Sequence, residues 1–168
     1  LAPTSECRKL QLLGRSDVAI DSMKKYAQEL GYEVTVANSA EAILNNCNLV
    51  VTTTPSTSPL LNLEHYDGAG LHITAVGSDT AEKQELSEQS LRRADLVVAD
   101  SCSQCESRGE IHHAIEAGLI STGDIVELGR IINGSAAGRQ NDQQISICDL
   151  TGVAVQDIQI AKAVYSAI

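Results

Sequence analysis

Arg8-Lys9-Leu10-Gln11-Leu12-Leu13-Gly14-Arg15-Ser16 reads as a strand that stops at a glycine and hands over to a helix cap. Ser16 is a good N-cap for a helix to about residue 30, with Ile20, Met23, Ala27 and Leu30 on one face and Gly31 as its stop. Residues 32–37 are then the next strand. Strand, helix and strand in quick succession make one β-α-β unit, and its pattern is repeated downstream.

Ser39 caps a short helix to about residue 46, and residues 48–53 contain Leu49-Val50-Val51, an apolar run suited to a strand buried on both faces. Thr54-Pro55 ends it. Residues 71–76 form the following strand, broken by Gly77; Ser87 caps a helix over 88–93, and Leu96-Val97-Val98-Ala99 is another buried strand ending at Asp100. Short helices over 110–117 and 127–132 precede a polar loop at 133–144, a last strand at 145–148 and a closing helix over 152–168. That helix carries Ala154, Ile158, Ala161, Tyr165 and Ile168 on one stripe and Val153, Ile160 and Val164 on a second, so broad burial is expected. The fold class is α/β, a parallel sheet covered by helices.

The chain has 168 residues, 43% of them hydrophobic, enough for one domain with a core. Its net charge of -10, from 12 Lys and Arg against 22 Asp and Glu, offers little basic surface for nucleic acid or an anionic membrane. The lack of Phe and Trp removes the usual base-stacking platform. No apolar run reaches the roughly 20 residues of a spanning helix, and no signal-like start is present, so a cytoplasmic protein is expected. A nucleotide remains an eligible ligand, because its phosphates need only local backbone N–H groups and one or two cations.

The cysteines, Cys7, Cys47, Cys102, Cys105 and Cys148, are odd in number and read as reduced thiols rather than a disulfide framework. Cys102 and Cys105 have C-x-x-C spacing without the second pair that a structural zinc site needs. His112 and Glu116 are spaced i, i+4 without a third ligand, and no metal is expected.

In a doubly wound Rossmann sheet, a central strand and its G-x-G-x-x-G turn precede the strand whose end reads the adenosine ribose. Here the ribose-reading strand at 8–13 comes first. The expectation is a Rossmann-like doubly wound parallel sheet lacking its first strand and Gly-rich loop, either the C-terminal part of a larger enzyme or a chain completed by a second polypeptide. The strands at Arg8 and Leu49 would then show unpaired edges.

An NAD site usually places an acidic side chain after that strand, whereas Arg15 and Ser16 stand there in this chain and suit the 2′-phosphate of NADP. The alternative is a solvated Arg beside a Ser cap. Thr52-Thr53-Thr54-Pro55 and Ala75-Val76-Gly77-Ser78-Asp79 fall at carboxyl ends of strands, where open α/β sheets bind ligands. Gly77 would allow close approach of a nicotinamide, and Asp79 would face the reacting carbon or a water; equally, Asp79 is a turn residue directed at Lys83.

The string Thr52-Thr53-Thr54-Pro55-Ser56, the segment from Ala75 to Asp79 with Lys83, Glu85 and Leu86, and the tail Asp149-Leu150-Thr151-Gly152-Val153-Ala154-Val155-Gln156-Asp157 together resemble the ornithine cyclodeaminase and mu-crystallin family. Asp100-Ser101, Gln104, Gly109-Glu110, Glu127-Leu128-Gly129 and Gly138-Arg139 fit its pattern in the same order. The tail is most similar to bacterial ketimine reductases such as pyrroline-2-carboxylate reductase. The resemblance implies NADPH, with NADH as the other possibility, and a small amino or imino acid as substrate. It implies that Ala75, Val76, Gly77 and Lys83 line the nicotinamide end, Thr52 and Thr54 the adenosine side, Leu150 the nicotinamide edge, and Thr151 the substrate. Asp79 takes the catalytic and substrate-binding place.

By the same resemblance, residues 1–140 are a partial nucleotide-binding domain and 141–168 a strand and helix returning towards a substrate and dimerisation domain, with a homodimer as the complete protein. The implied reaction is reduction of a cyclic imino acid, pyrroline-2-carboxylate to L-proline, by hydride transfer. Ornithine cyclodeaminase or alanine dehydrogenase activity is the second expectation, and a truncated or crystallin-like binding protein without catalysis the third; this portion alone is expected to be inactive.

Overall fold

In the computed structural model, which describes residues 6–167, the chain divides between Cys47 and Asn48 into two units. The first contains β1 (Lys9–Leu12), α1 (Asp17–Glu29), β2 (Glu33–Val36) and α2 (Ala40–Asn46). β1 and β2 pair in parallel from Lys9 opposite Glu33 to Leu12 opposite Val36, as a β-α-β unit requires. Both caps act as the sequence predicts: Ser16 Oγ accepts from Ala19 N at 3.3 Å, and Ser39 Oγ accepts from Ala42 N at 3.1 Å. Each satisfies an otherwise orphaned N–H of a first turn, a contribution of about 1 kcal/mol. Gly31 stops α1 at φ +84°, in the left-handed region. On the expected apolar face of α1 only Ala27 is buried, while Met23 and Leu30 are exposed.

The second unit begins with β3 (Leu49–Thr52), β4 (Thr57–Leu61), β5 (His72–Ala75), β6 (Gln84–Leu86), α3 (Glu88–Arg93) and β7 (Leu96–Ala99). It continues through α4 (Cys102–Cys105), α5 (Gly109–Glu116), β8 (Ile125–Glu127), α6 (Leu128–Ile132), β9 (Ser146–Asp149) and α7 (Ala154–Ser166). Five strands form a parallel sheet in the order β3-β5-β9-β7-β8, and β4 with β6 makes a small parallel pair. The late strand β9 inserts between β5 and β7, with Ile147 opposite both Ile73 and Val97. Around it Leu71, Ile73, Leu91, Ile111, Ile145 and Ile147 are buried almost completely. Removing such side chains from water is the main stabilising contribution, roughly 1.5–3 kcal/mol for each large aliphatic residue.

Two expectations are corrected. β3 is not buried on both faces: it lies at the sheet edge, where Val50 and Thr52 are buried but Leu49 and Val51 are 44% and 48% exposed. α7 is not broadly buried; none of its residues is, and it follows a turn at Gly152, at φ +82°. Ile168 of its expected stripe lies outside the described residues. No helix among the described residues is long and apolar enough to cross a membrane.

Candidate functional site

Parallel pairing sends the carboxyl ends of β3, β5, β9 and β7 to one side of the sheet, and four loops leave it there. They carry Thr52 to Pro55, Val76 to Asp79, Leu150 to Gly152, and Asp100. Val76, Asp79, Leu150, Thr151, Gly152 and Gln156 line a pocket of about 210 Å³. Four of the residues singled out in the sequence, Val76, Asp79, Leu150 and Thr151, therefore meet in one place. Gln156, from α7, lies in the tail that carries the family resemblance but was assigned no role there.

Lys83 Nζ donates to Asp79 Oδ1 at 2.6 Å, which holds the Asp79 carboxyl below its ordinary range. Ser78 Oγ donates to Lys83 O at 2.6 Å and closes the turn that brings the pair together. Asp79 is 53% exposed and Lys83 28%, so the charge pair stands at the rim, open to solvent. An ionised carboxylate there accepts hydrogen bonds and attracts a cationic nitrogen; it is a poor proton donor near neutral pH.

Opposite, the Thr151-Gly152 turn is clamped by Asp100. Its Oδ1 accepts from Ser101 N at 2.8 Å and from Thr151 Oγ1 at 3.2 Å, and its Oδ2 accepts from Gly152 N at 2.9 Å. Gln104 Nε2 donates to Thr151 Oγ1 at 2.8 Å and to Gly152 O at 2.7 Å. The Thr151 hydroxyl proton is thus committed to Asp100, and Thr151 is left to shape the pocket and to accept. Leu150 N donates to Ala75 O, which fixes the start of this loop against β5.

Ala75 is buried in β5, and Val76 N donates to Thr52 O at 2.9 Å. Thr52 is buried, yet its Oγ1 has no hydrogen-bond partner among the described residues. A buried hydroxyl left unsatisfied at a strand's carboxyl end fits an incoming polar ligand such as a nucleotide. Thr54 N and Gly77 N both donate to the carboxylate of Glu85. Gly77 is a glycine for a reason internal to the protein: a Cβ there would collide with the Thr54 backbone and come within 2.7 Å of Glu85 Cδ. Arg15 and Ser16 belong to the first unit, at the carboxyl end of β1, with Ser16 engaged as the α1 cap.

Beneath these loops lie carboxylates that sequence reasoning did not identify as buried: Glu85, Glu110 and Asp149 have no exposed surface. Glu110 accepts from Glu85 N at 2.8 Å and Leu86 N at 2.9 Å, and Asp149 Oδ2 accepts from Ile111 N at 2.9 Å. Burial pushes Glu110 up to about 7 and Asp149 up to about 8. Burial also raises Cys105 and Cys148, the latter to about 11, so both are inert thiols rather than nucleophiles. No group of three or more His, Cys, Asp or Glu among the described residues is placed to hold a metal ion.

The profile of the ornithine cyclodeaminase/mu-crystallin family matches residues 2–168. Alanine dehydrogenase of Archaeoglobus fulgidus is 39% identical over 153 residues, covering 89% of this chain and 46% of the relative. Delta(1)-pyrroline-2-carboxylate reductase of Bacillus cereus is 32% identical over 163 residues, covering 95% and 50%. The solved iminosuccinate reductase of Paracoccus denitrificans in complex with NAD+ superimposes with a TM-score of 0.89 at 34% identity, over 98% of this chain and 50% of that one. The chain spans about half the length of each relative.

Proposed function

Because the chain belongs to the ornithine cyclodeaminase/mu-crystallin family, we propose that it is the nucleotide-binding part of an enzyme that reduces the C=N bond of an α-imino acid, with a cyclic pyrroline-2-carboxylate as substrate and L-proline as product. The observation behind the proposal is the Asp79–Lys83 pair at the rim of a pocket floored by Val76 and Leu150. A bound nicotinamide nucleotide supplies the hydride. Val76 and Leu150 offer an apolar edge to a flat ring, and the orphaned Thr52 hydroxyl offers a polar contact to the adenosine side of the nucleotide. Thr54 and Gly77 shape the backbone beside it.

A protonated cyclic imine brings its own N–H and positive charge. Asp79, held ionised by Lys83, accepts from that N–H and orients the imine carbon; no proton need come from Asp79. Thr151 contacts the substrate from the other side of the pocket. Arg15 pairs with a 2′-phosphate, which makes NADPH the proposed reductant, while the solved relative holds NAD+. The closing segment from residue 141 returns towards the substrate-binding part of a complete, homodimeric protein.

The test is oxidation of NADPH, and separately of NADH, by the full-length protein supplied with pyrroline-2-carboxylate. Stoichiometric appearance of proline supports the proposal, and its absence with both nucleotides overturns it. Identity to an alanine dehydrogenase favours a second reading, in which the imine is acyclic and forms from a 2-oxo acid and ammonia; turnover with pyruvate and ammonia but not with the cyclic imine selects it.

A further inference from the structure

Glu85 is a three-atom bridge between two loops whose strands pair directly, with Val76 N donating to Thr52 O at 2.9 Å just before the loops begin. One carboxylate oxygen accepts from Thr54 N, in the connection after β3, and the other accepts from Gly77 N at 2.9 Å, in the connection after β5. Two residues from these anchors, on either side, stand Thr52 with its orphaned hydroxyl and Asp79 with its ion pair. The loops are in backbone contact, because a Cβ on Gly77 would overlap the Thr54 main chain.

Glu85 is itself held. Its backbone N–H and that of Leu86 donate to the two oxygens of Glu110, at the start of α5. Asp149, at the end of β9, receives Ile111 N from the same turn, and Gly109, at φ +85°, admits the Asp149 carboxylate against its Cα where any side chain would lie within 2.6 Å. The connection runs from the central strand β9 through α5 to β6 and out to the two loops, each link a carboxylate on backbone donors. No Lys or Arg is hydrogen-bonded to Glu85, Glu110 or Asp149 among the described residues. Burying carboxyl groups without a cation costs desolvation, as the raised Glu110 and Asp149 show, and apolar packing would close a loop at less cost. What the carboxylate provides is geometry: two acceptors at a fixed separation that set the register of both loops at once.

We propose that Glu85 is a positioning residue, whose single carboxylate locks Thr54 and Gly77 so that Thr52 and Asp79 are presented together to one bound nucleotide and its substrate. The inference rests on the reductase reading above. Glu85 touches neither ligand and acts through the two loops.

The experiment compares full-length wild-type protein with Glu85→Gln, measuring the nucleotide dissociation constant by fluorescence titration, kcat and KM for the imine, and the unfolding midpoint. An amide keeps one acceptor and turns an N–H donor towards the other loop. The dissociation constant should rise about 10-fold and kcat/KM for the imine should fall about 10- to 100-fold per folded molecule, as small misplacements of reacting groups produce. A lowered midpoint with unchanged kcat, KM and nucleotide affinity overturns the proposal and leaves the reductase reading intact. Failure of the wild-type protein to bind either nucleotide overturns the reading itself. Should Glu85→Gln not fold, the wild-type amide spectrum decides: Thr54 and Gly77 N–H resonances should be protected from exchange and shift on adding NADPH or NADH. Rapid exchange of both, or resonances indifferent to the nucleotide, overturns it.

Discussion

Lys83 Nζ reaches Asp79 Oδ1 at 2.6 Å across a turn closed by Ser78, so the one carboxylate at the rim of the pocket is held in its charged form. A pair this exposed stabilises the fold by less than about 1 kcal/mol, and its consequence is electrostatic. Asp79→Ala and Asp79→Asn should each lower kcat for imine reduction by about 100-fold or more while changing nucleotide affinity less than about 3-fold. Steady-state kinetics beside a nucleotide titration checks this, and unchanged turnover removes Asp79 from the mechanism. Since Asp79 titrates below the ordinary carboxyl range, protonation of this group costs no activity between pH 5 and pH 7; Lys83→Met should move the acid limb of kcat/KM upward.

Arg15 follows the strand β1, with Ser16 spent on capping Ala19 N. On the proposed reading, the guanidinium is the group that discriminates a 2′-phosphate from a hydroxyl. Arg15→Ala should weaken NADPH about 10-fold or more and NADH hardly at all, read as the ratio of the two kcat/KM values. Equal loss for both nucleotides would assign Arg15 to general binding; no loss for either would make it a solvated side chain.

What was legible in the sequence is what is local. Ser16, Ser39 and Gly31 mark helix ends by chemistry that acts within a turn, and Leu96-Val97-Val98-Ala99 is bounded as the apolar run shows. The ends of β3 and β5, at Thr52 and at Val76 to Asp79, share one side once all pairings are parallel, which made Val76 and Asp79 legible as pocket residues, while Leu150 and Thr151 were singled out through the family resemblance. The insertion of β9 between β5 and β7 is a long-range pairing with no local signature. β6 escaped because it is three residues with a glutamate at its centre, and β4 because Pro59 sits inside it. The burial of Glu85, Glu110 and Asp149, quoted in the sequence only as motif residues, was not legible because their partners are backbone N–H groups that only the tertiary fold brings near. The apolar stripes of α7 suggested burial that none of its described residues has.

Gly77 is a steric requirement rather than a matter of backbone conformation, for its φ is not positive. Gly77→Ala drives a methyl into the Thr54 main chain and towards Glu85, and no flexible side chain can yield the space, since two of the three nearest atoms are backbone. A cost of about 1–3 kcal/mol is expected from overpacking, with the unfolding midpoint lowered and nucleotide binding impaired together. A midpoint within a degree or two of the parent would mean that the two loops separate easily.

Asp149 offers a prediction whose sign is set by burial. Its pKa is raised to about 8 by desolvation, with Ile111 N opposing, and with Glu110 and Asp100 adding to the rise. The folded state therefore keeps a proton that the unfolded chain releases near pH 4, and stability from this group is full below that value and lost as pH rises towards 8. Glu110, raised to about 7 by burial and by Glu85 against the N–H groups of Glu85 and Leu86 and the Ser78 side chain, acts in the same direction over a lower window. The depressed carboxylates Asp79, Glu82, Glu88 and Asp124 act oppositely only below about pH 5 and are far more exposed, while His72, lowered by burial and by Arg139, also acts oppositely as pH falls through the ordinary imidazole range and offsets part of the gain at pH 6. The unfolding free energy should thus be larger at pH 6 than at pH 9, by an amount on the order of 2 kcal/mol, with the unfolding midpoint falling in step. Asp149→Asn mimics the protonated acid: its amide oxygen still accepts from Ile111 N, and its amino group stands where the unpartnered Oδ1 now lies. It should cost little at pH 6 and flatten the decline to pH 9; a decline as steep as the parent's would show that Asp149 is already ionised in the fold and that other groups carry the pH dependence.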